Sequence, residues 1–162
     1  MGFVHKTCVA ISRCALGGWV FAAALFVVTT IAEVRSPKLG SVAKAHLAEL
    51  RFPSYYTFGF GLLAIASVTS VVAFRPPRFG VGRFRAIVVL LALSLAFITV
   101  DYLWVFGPLL EMTTDVQTAR PANFQTYHRL SMGINAAGLI TALAAGIAVS
   151  WPRDSNTTVA SH

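Results

Sequence analysis

Polar side chains are confined to short intervals of this chain, and between them run four apolar stretches, Cys14 to Ala32, Ser54 to Phe74, Ala86 to Leu110 and Leu130 to Trp151. Each is near the ~20 residues that a helix needs to cross a ~30 Å hydrocarbon core. One formal charge, Asp101, interrupts any of them. A spanning segment finds no water for its amides, so it must be a helix or part of a closed barrel, and runs this long do not alternate with period two as barrel strands do. The pattern predicts an all-α integral membrane four-helix bundle, with helices over about residues 9–34, 54–75, 84–111 and 124–151.

Proline placement agrees, because the ring removes a helix donor and crowds the preceding turn. Pro37 and Pro53 bracket the first connection, Pro76 and Pro77 lie in the second and Pro121 in the third; Pro108 falls in the exit turn of the third helix and Pro152 after the fourth. The connections leave no room for a second domain, so residues 1–153 form one transmembrane domain and the small, polar tail 154–162 is expected to be disordered. The first run could be read as a signal peptide behind Lys6 and Arg13, but signal cores span only about 7–15 residues and this one is longer, which favours a retained helix.

Between the first two runs, Ser36 and Pro37 read as a cap and first-turn proline, and Leu39, Ala43, His46 and Leu50 recur at helical spacing. A short amphipathic surface helix over about residues 37–51 is expected, with His46 on its apolar face and Lys38, Lys44 and Glu49 opposite.

Composition narrows the class. Hydrophobic residues make up 56% and charged residues 12% of the 162 residues, against about a quarter charged in soluble domains. The net charge of +7 is then a matter of loops and topology rather than of nucleic acid. Arg75, Arg78, Arg83 and Arg85 crowd the short second loop, where the positive-inside bias acts, which predicts both termini in the cytoplasm of a plasma or inner membrane. On that topology the Asn156-Thr157-Thr158 sequon is not lumenal and carries no glycan. Cys8 and Cys14 have no further metal-ligand or disulfide pattern around them and read as inert thiols.

Candidate chemistry therefore lies in the few polar residues within the spans. A charge at the bilayer centre costs about 2.5–3.5 kcal/mol on translocon scales, so Asp101 needs partners. It lies about 15 Å below the end of the third helix, near mid-depth. The fourth helix enters from the same side, with His128, Ser131 and Asn135 on one stripe; the second helix enters there with Tyr55 and Tyr56, and Tyr102 follows Asp101. Below the stripe, Gly138, Ala142 and Gly146 continue at four-residue spacing as a small-residue seam for close helix approach. Tyr55, Tyr56, Trp104, Tyr127 and Trp151 at the run ends read as interfacial anchors.

The leading reading of the polar cluster is structural: Ser, Asn, His and Tyr hydrogen bonds that join membrane helices. Second comes a small-molecule or ion carrier in which Asp101 accepts a proton or cation and His128 and Asn135 help to hold it. Third is a haem or metal bundle, for which only His46 and His128 lie away from the termini and no i, i+4 ligand pair occurs. No Ser-His-Asp order, phosphate loop or His-Glu-x-x-His motif points to an enzyme. No cofactor is expected. The expected partners are the lipid bilayer and, for a bundle of so few helices, further copies of the chain or other membrane proteins.

Phe52-Pro53-Ser54-Tyr55-Tyr56 followed by Gly59 and Gly61, then Tyr102, Pro108 and the stretch Phe124-Gln125-Thr126-Tyr127-His128-Arg129-Leu130-Ser131 with Asn135, resembles the transmembrane-protein-205-like family, also called domain of unknown function 4149. The likeness covers roughly residues 15 to 150. It departs where Leu109, Leu110 and Glu111 follow Pro108 in place of an expected arginine, and where Tyr127 replaces a favoured leucine. The resemblance implies a four-helix integral membrane protein of an uncharacterised family, and it carries Tyr55, Tyr56, Tyr102, Pro108, His128, Ser131 and Asn135; Asp101 comes from the burial argument alone.

Overall fold

The computed structural model describes residues 2–74, 80–114 and 122–151, all in helices and their connections. The order is α1 (Phe3–Arg35), α2 (Ser41–Ala73), α3 (Val81–Val100), a π-helical segment (Asp101–Phe106), α4 (Gly107–Thr114) and α5 (Phe124–Ser150). The third rod is α3, the π segment and α4 in succession, so the described residues contain four helical units long and apolar enough to cross a membrane. The chain is an all-α bundle of four such units, as its apolar pattern predicts.

The rods alternate in direction and form a closed ring of neighbours: α1 beside α2, α2 beside α3, α3 beside α5, and α5 back beside α1. We call the end holding the N-terminus of α1 and the C-terminus of α5 the terminal end, and the other the distal end. Large apolar side chains such as Phe21, Leu25, Val68 and Ile140 point outwards, whereas Ala23, Ala66, Ala142 and Ala145 are fully buried. This inversion suits a lipid-bathed bundle, where small residues bring backbones together and dispersion replaces the hydrophobic effect between helices. On α5 the expected seam is used from both sides, with Gly138 against Phe97 of α3 and Gly146 against Leu16 of α1.

Hydroxyls inside the rods close back on the helix or pair across it. Thr30, Ser67, Thr69 and Thr99 donate to the carbonyls four residues earlier, at 2.7 Å in each case. Two pairs bridge rods: Ser12 with Ser70 at 2.6 Å, and Ser94 with Thr141 at 2.8 Å. In a medium without water, every such bond removes an unsatisfied group that would cost several kcal/mol.

One expectation about boundaries changes. The segment expected as a separate surface helix is helical from Ser41 onwards and runs without interruption into α2, with Pro53 inside the rod. The Pro53 ring removes the amide donor to the Glu49 carbonyl and the rod continues through it, with Thr57 Oγ1 donating to the Pro53 carbonyl at 2.9 Å and Ser54 Oγ to the Leu50 carbonyl at 3.2 Å. The segment also meets α1 through its polar side: Lys44 Nζ donates to the Val34 carbonyl at 2.8 Å, while His46 and Leu50 are exposed. The third rod runs through Pro108, as the span expected to about residue 111 has it, and widens to π geometry just before it. Pro108 has no N–H for the carbonyl four residues earlier and its ring crowds that carbonyl, which favours the wider turn.

At the terminal end, Arg83, read from sequence as a topology determinant, caps α5 together with Arg13. Arg83 donates through Nε and Nη2 to the Ala148 carbonyl at 3.1 and 2.8 Å and to Trp151 at 2.8 Å, and Arg13 Nη2 reaches the Val149 carbonyl at 3.3 Å. They satisfy last-turn carbonyls at the negative end of the helix dipole. Arg75, Arg78, Pro76, Pro77, Pro121, Pro152 and the tail 154–162 lie outside the described residues.

Close approach of α1, α2 and α3 converges on Gly59. A Cβ there would lie 2.6 Å from the Trp19 ring and 2.7 Å from Ile98 Cδ1, both buried. Gly59→Ala is expected to lower stability by about 1–3 kcal/mol, the usual penalty of overpacking. Gly61→Ala on the same helix, where nothing lies within 4 Å, should be neutral or gain up to about 1 kcal/mol from helix propensity. Unfolding midpoints of the two variants in detergent micelles check this contrast.

Candidate functional site: the Asp101 cluster

Asp101 begins the π segment and is 0% exposed. Its carboxylate is met from two other rods. Tyr56 of α2, itself buried, donates its hydroxyl to Asp101 Oδ2 at 2.5 Å, and Asn135 of α5 donates through Nδ2 to the same oxygen. Asn135 is held in turn: its Nδ2 lies 3.0 Å from the Ser131 carbonyl and 3.3 Å from Ser131 Oγ, and its Oδ1 accepts the Tyr55 hydroxyl at 3.1 Å. This network also fixes the amide orientation, since the carboxylate needs a donor and the Tyr55 hydroxyl an acceptor.

Local helix geometry explains why these residues meet. Tyr55 and Tyr56 are neighbours about 100° apart on α2, so one faces α5 and α1 while the other faces the π segment. Ser131 and Asn135 are one turn apart on α5 and share a face. In an α-helix Asp101 and Val105 stack four residues apart; the π segment buries both and adds Phe106 to the same face.

Rings enclose the polar atoms. Tyr56 lies 5.1 Å from both Tyr102 and Phe106 and 5.3 Å from Tyr55, centroid to centroid. Tyr55 packs on Phe26 at 4.4 Å and Trp19 at 5.0 Å, which brings α1 into the assembly. The low polarity of this wall strengthens each hydrogen bond inside it, and makes any unmatched polar atom costly. One such atom exists: Asp101 Oδ1 is buried and accepts no hydrogen bond.

Of the residues expected from sequence, Asp101, Tyr55, Tyr56, Ser131 and Asn135 form one hydrogen-bonded cluster, and Tyr102 joins it through its ring. His128 does not. It is exposed and stacks on Phe124 with centroids 6.0 Å apart. It shares the stripe of Asn135 but lies two turns, about 10 Å, nearer the distal end, beyond the carboxylate's reach. Tyr55 and Tyr56 are also core residues rather than interfacial anchors; Trp104 and Trp151 are exposed, as anchors should be.

A second polar group at the distal end has no counterpart among the expectations. Arg51 of α2 forms an ion pair with Glu33 of α1, donates to Thr29 Oγ1 at 2.6 Å, Thr30 Oγ1 at 3.1 Å and the Phe26 carbonyl at 3.3 Å, and lies over the Phe26 ring at 4.9 Å. Arg51, Glu33, Thr30 and Phe26 line, with Lys44 and Phe52, a cavity of about 50 Å³. The available signal was Thr29 and Glu33 one turn apart on α1, facing an arginine placed at the start of an apolar run.

The cluster separates its members by expected cost. Tyr56→Phe removes the donor to Asp101 and is expected to cost about 0.6–2 kcal/mol, the range of interhelical hydrogen bonds in membranes. Asn135→Ala, which unpairs Asp101 and Tyr55 together, should cost more. His128→Ala should leave stability unchanged. Thermal or denaturant unfolding of the three variants in one detergent ranks them, and a His128 effect equal to that of Asn135 would contradict this geometry.

No protein-family model, no curated protein and no solved structure matches the chain.

Proposed function

We propose that the protein is a non-enzymatic, multi-pass membrane component in which the Asp101 cluster locks the distal half of the bundle. The observation that carries the reading is the double donation to Asp101 Oδ2: Tyr56 from α2 and Asn135 from α5 meet on one fully buried oxygen of the third rod. Aromatic contact of Tyr55 with Trp19 and Phe26 draws α1 into the same lock. A lock of this kind fixes which helix faces meet, a task that lipid-facing aliphatic surfaces cannot perform because lipid solvates them equally well.

The resemblance to the transmembrane-protein-205-like family supports the same reading. Four of its positions here, Tyr55, Tyr56, Ser131 and Asn135, hydrogen-bond in the one cluster around Asp101. Membership of that family is part of the proposal, as is the orientation with both termini cytoplasmic in a plasma or inner membrane. The arginines at the terminal end support that orientation through the positive-inside bias.

A specific observation favours a second reading, a carrier of a small cation: Asp101 Oδ1 has no partner although buried. Asp101→Asn separates the two. Asparagine keeps an acceptor oxygen for Tyr56 and Asn135, so the variant is expected to fold and insert. Proteoliposomes holding either form, loaded with a pH-sensitive dye and supplied with external radioactive sodium, should then behave like empty vesicles. A flux in the wild-type protein that Asp101→Asn abolishes would replace the component reading with the carrier.

Orientation has its own test. In intact cells, a membrane-impermeant maleimide should label Lys38→Cys at the exposed distal turn, whereas Cys8 near the terminal end should react only after permeabilisation. The reverse pattern would invert the topology.

A further inference from the structure

We infer that Asp101 Oδ1 is the seat of a single positive charge, a proton or an alkali cation, that the cluster holds against the carboxylate. The inference rests on the buried lock described above and extends it from what joins the helices to what balances their charge. Asp101 is 0% exposed, and both donors that reach it use Oδ2. Oδ1 accepts nothing. A bare carboxylate in such a place carries an uncompensated charge and an unsatisfied acceptor, each among the costliest states a protein interior can hold.

Among the described residues, no cationic side chain faces Asp101. The groups that face Asp101 are Tyr55 and Tyr56 from α2, Ser131 and Asn135 from α5, and Tyr102 and Phe106 from its own rod, none of them cationic. Among the described residues, Arg51 is engaged with Glu33, Thr29 and Thr30 and Lys44 with the Val34 carbonyl, while Arg35, Lys38 and Arg129 are exposed. His128 is exposed and stacked on Phe124.

Size and charge narrow what fits. The rings around the carboxylate already touch one another, with centroids 5.1 Å apart from Tyr56 to Tyr102 and to Phe106, so an organic ammonium group has no place between them. A divalent ion would leave one positive charge unbalanced beside a single carboxylate. A monovalent charge leaves the site neutral. In the proton case one O–H bond forms at Oδ1 and one breaks in the hydronium ion that delivers the proton, which is left as water. In the alkali case the cluster offers oxygen-bearing side chains, Tyr55, Tyr56 and Asn135, the ligand type such hard ions prefer.

The test uses the full-length protein carrying Asp115→Asn and Asp154→Asn, so that Asp101 is the one remaining aspartate, labelled with ¹³C at its carboxyl carbon and purified in detergent. Infrared spectroscopy then reads its state directly. A proton at Oδ1 gives the C=O stretch of a carboxylic acid with a deuterium shift, and a melting point indifferent to exchange of sodium or potassium for choline. An alkali cation gives carboxylate bands, together with a melting midpoint that climbs with the logarithm of the cation concentration. Carboxylate bands with no response to sodium or potassium would overturn the inference. The lock itself fails or stands on the unfolding of the Tyr56 and Asn135 variants, a separate readout.

Discussion

A carboxylate withdrawn from water into a membrane bundle must be matched by its neighbours, and that requirement organises this protein. Asp101 is fully buried, and the two donors that answer it come from α2 and α5, the rods on either side of its own. Each donor is itself positioned by something else: Asn135 by Ser131 and Tyr55, Tyr56 by the rings of Tyr102 and Phe106. Moving any of the three rods by the length of a bond would unpair polar atoms in a medium that offers no replacement. Apolar packing alone imposes no such penalty on sliding or rotation.

The lock depends on close packing elsewhere. Gly59 allows the Trp19 ring to enter between α1, α2 and α3, and Trp19 backs Tyr55. The fully buried alanines at 23, 66, 142 and 145 do the same over the remaining length, while Ser12 with Ser70 and Ser94 with Thr141 tie neighbouring rods towards the terminal end. Arginines 13 and 83 finish α5 by taking its last carbonyls. The two ends of the bundle are thus held by different means: charge on helix termini at one, and at the other a buried carboxylate cluster with the Arg51–Glu33 pair above it.

How much of this was legible in the sequence follows from which forces act locally. Four spanning helices follow from apolar run length, and their antiparallel order from the short connections. The convergence of Asp101, Tyr55, Tyr56, Ser131 and Asn135 was also legible, because a buried charge demands donors and helical spacing says which residues share a depth and a face. The shared face misled for His128: a stripe seven residues long places both ends on one side of the helix, but only its deeper end reaches the carboxylate. Proline misled at position 53, where reading the ring as a breaker hid a helix that runs through it. The role of Arg51 depends on α1 and α2 lying side by side, a tertiary fact that neither segment expresses alone.

The central claim is that Asp101 couples α2 to α5, and a double-mutant cycle measures that coupling most directly. Tyr56→Phe and Asn135→Ala, singly and together, are unfolded in the same detergent, and the interaction energy is the departure from additivity. Two side chains that share one acceptor oxygen are expected to differ from additivity by about 0.5–3 kcal/mol. Strict additivity would mean that the two contacts are independent and would contradict the account of a single lock centred on Asp101.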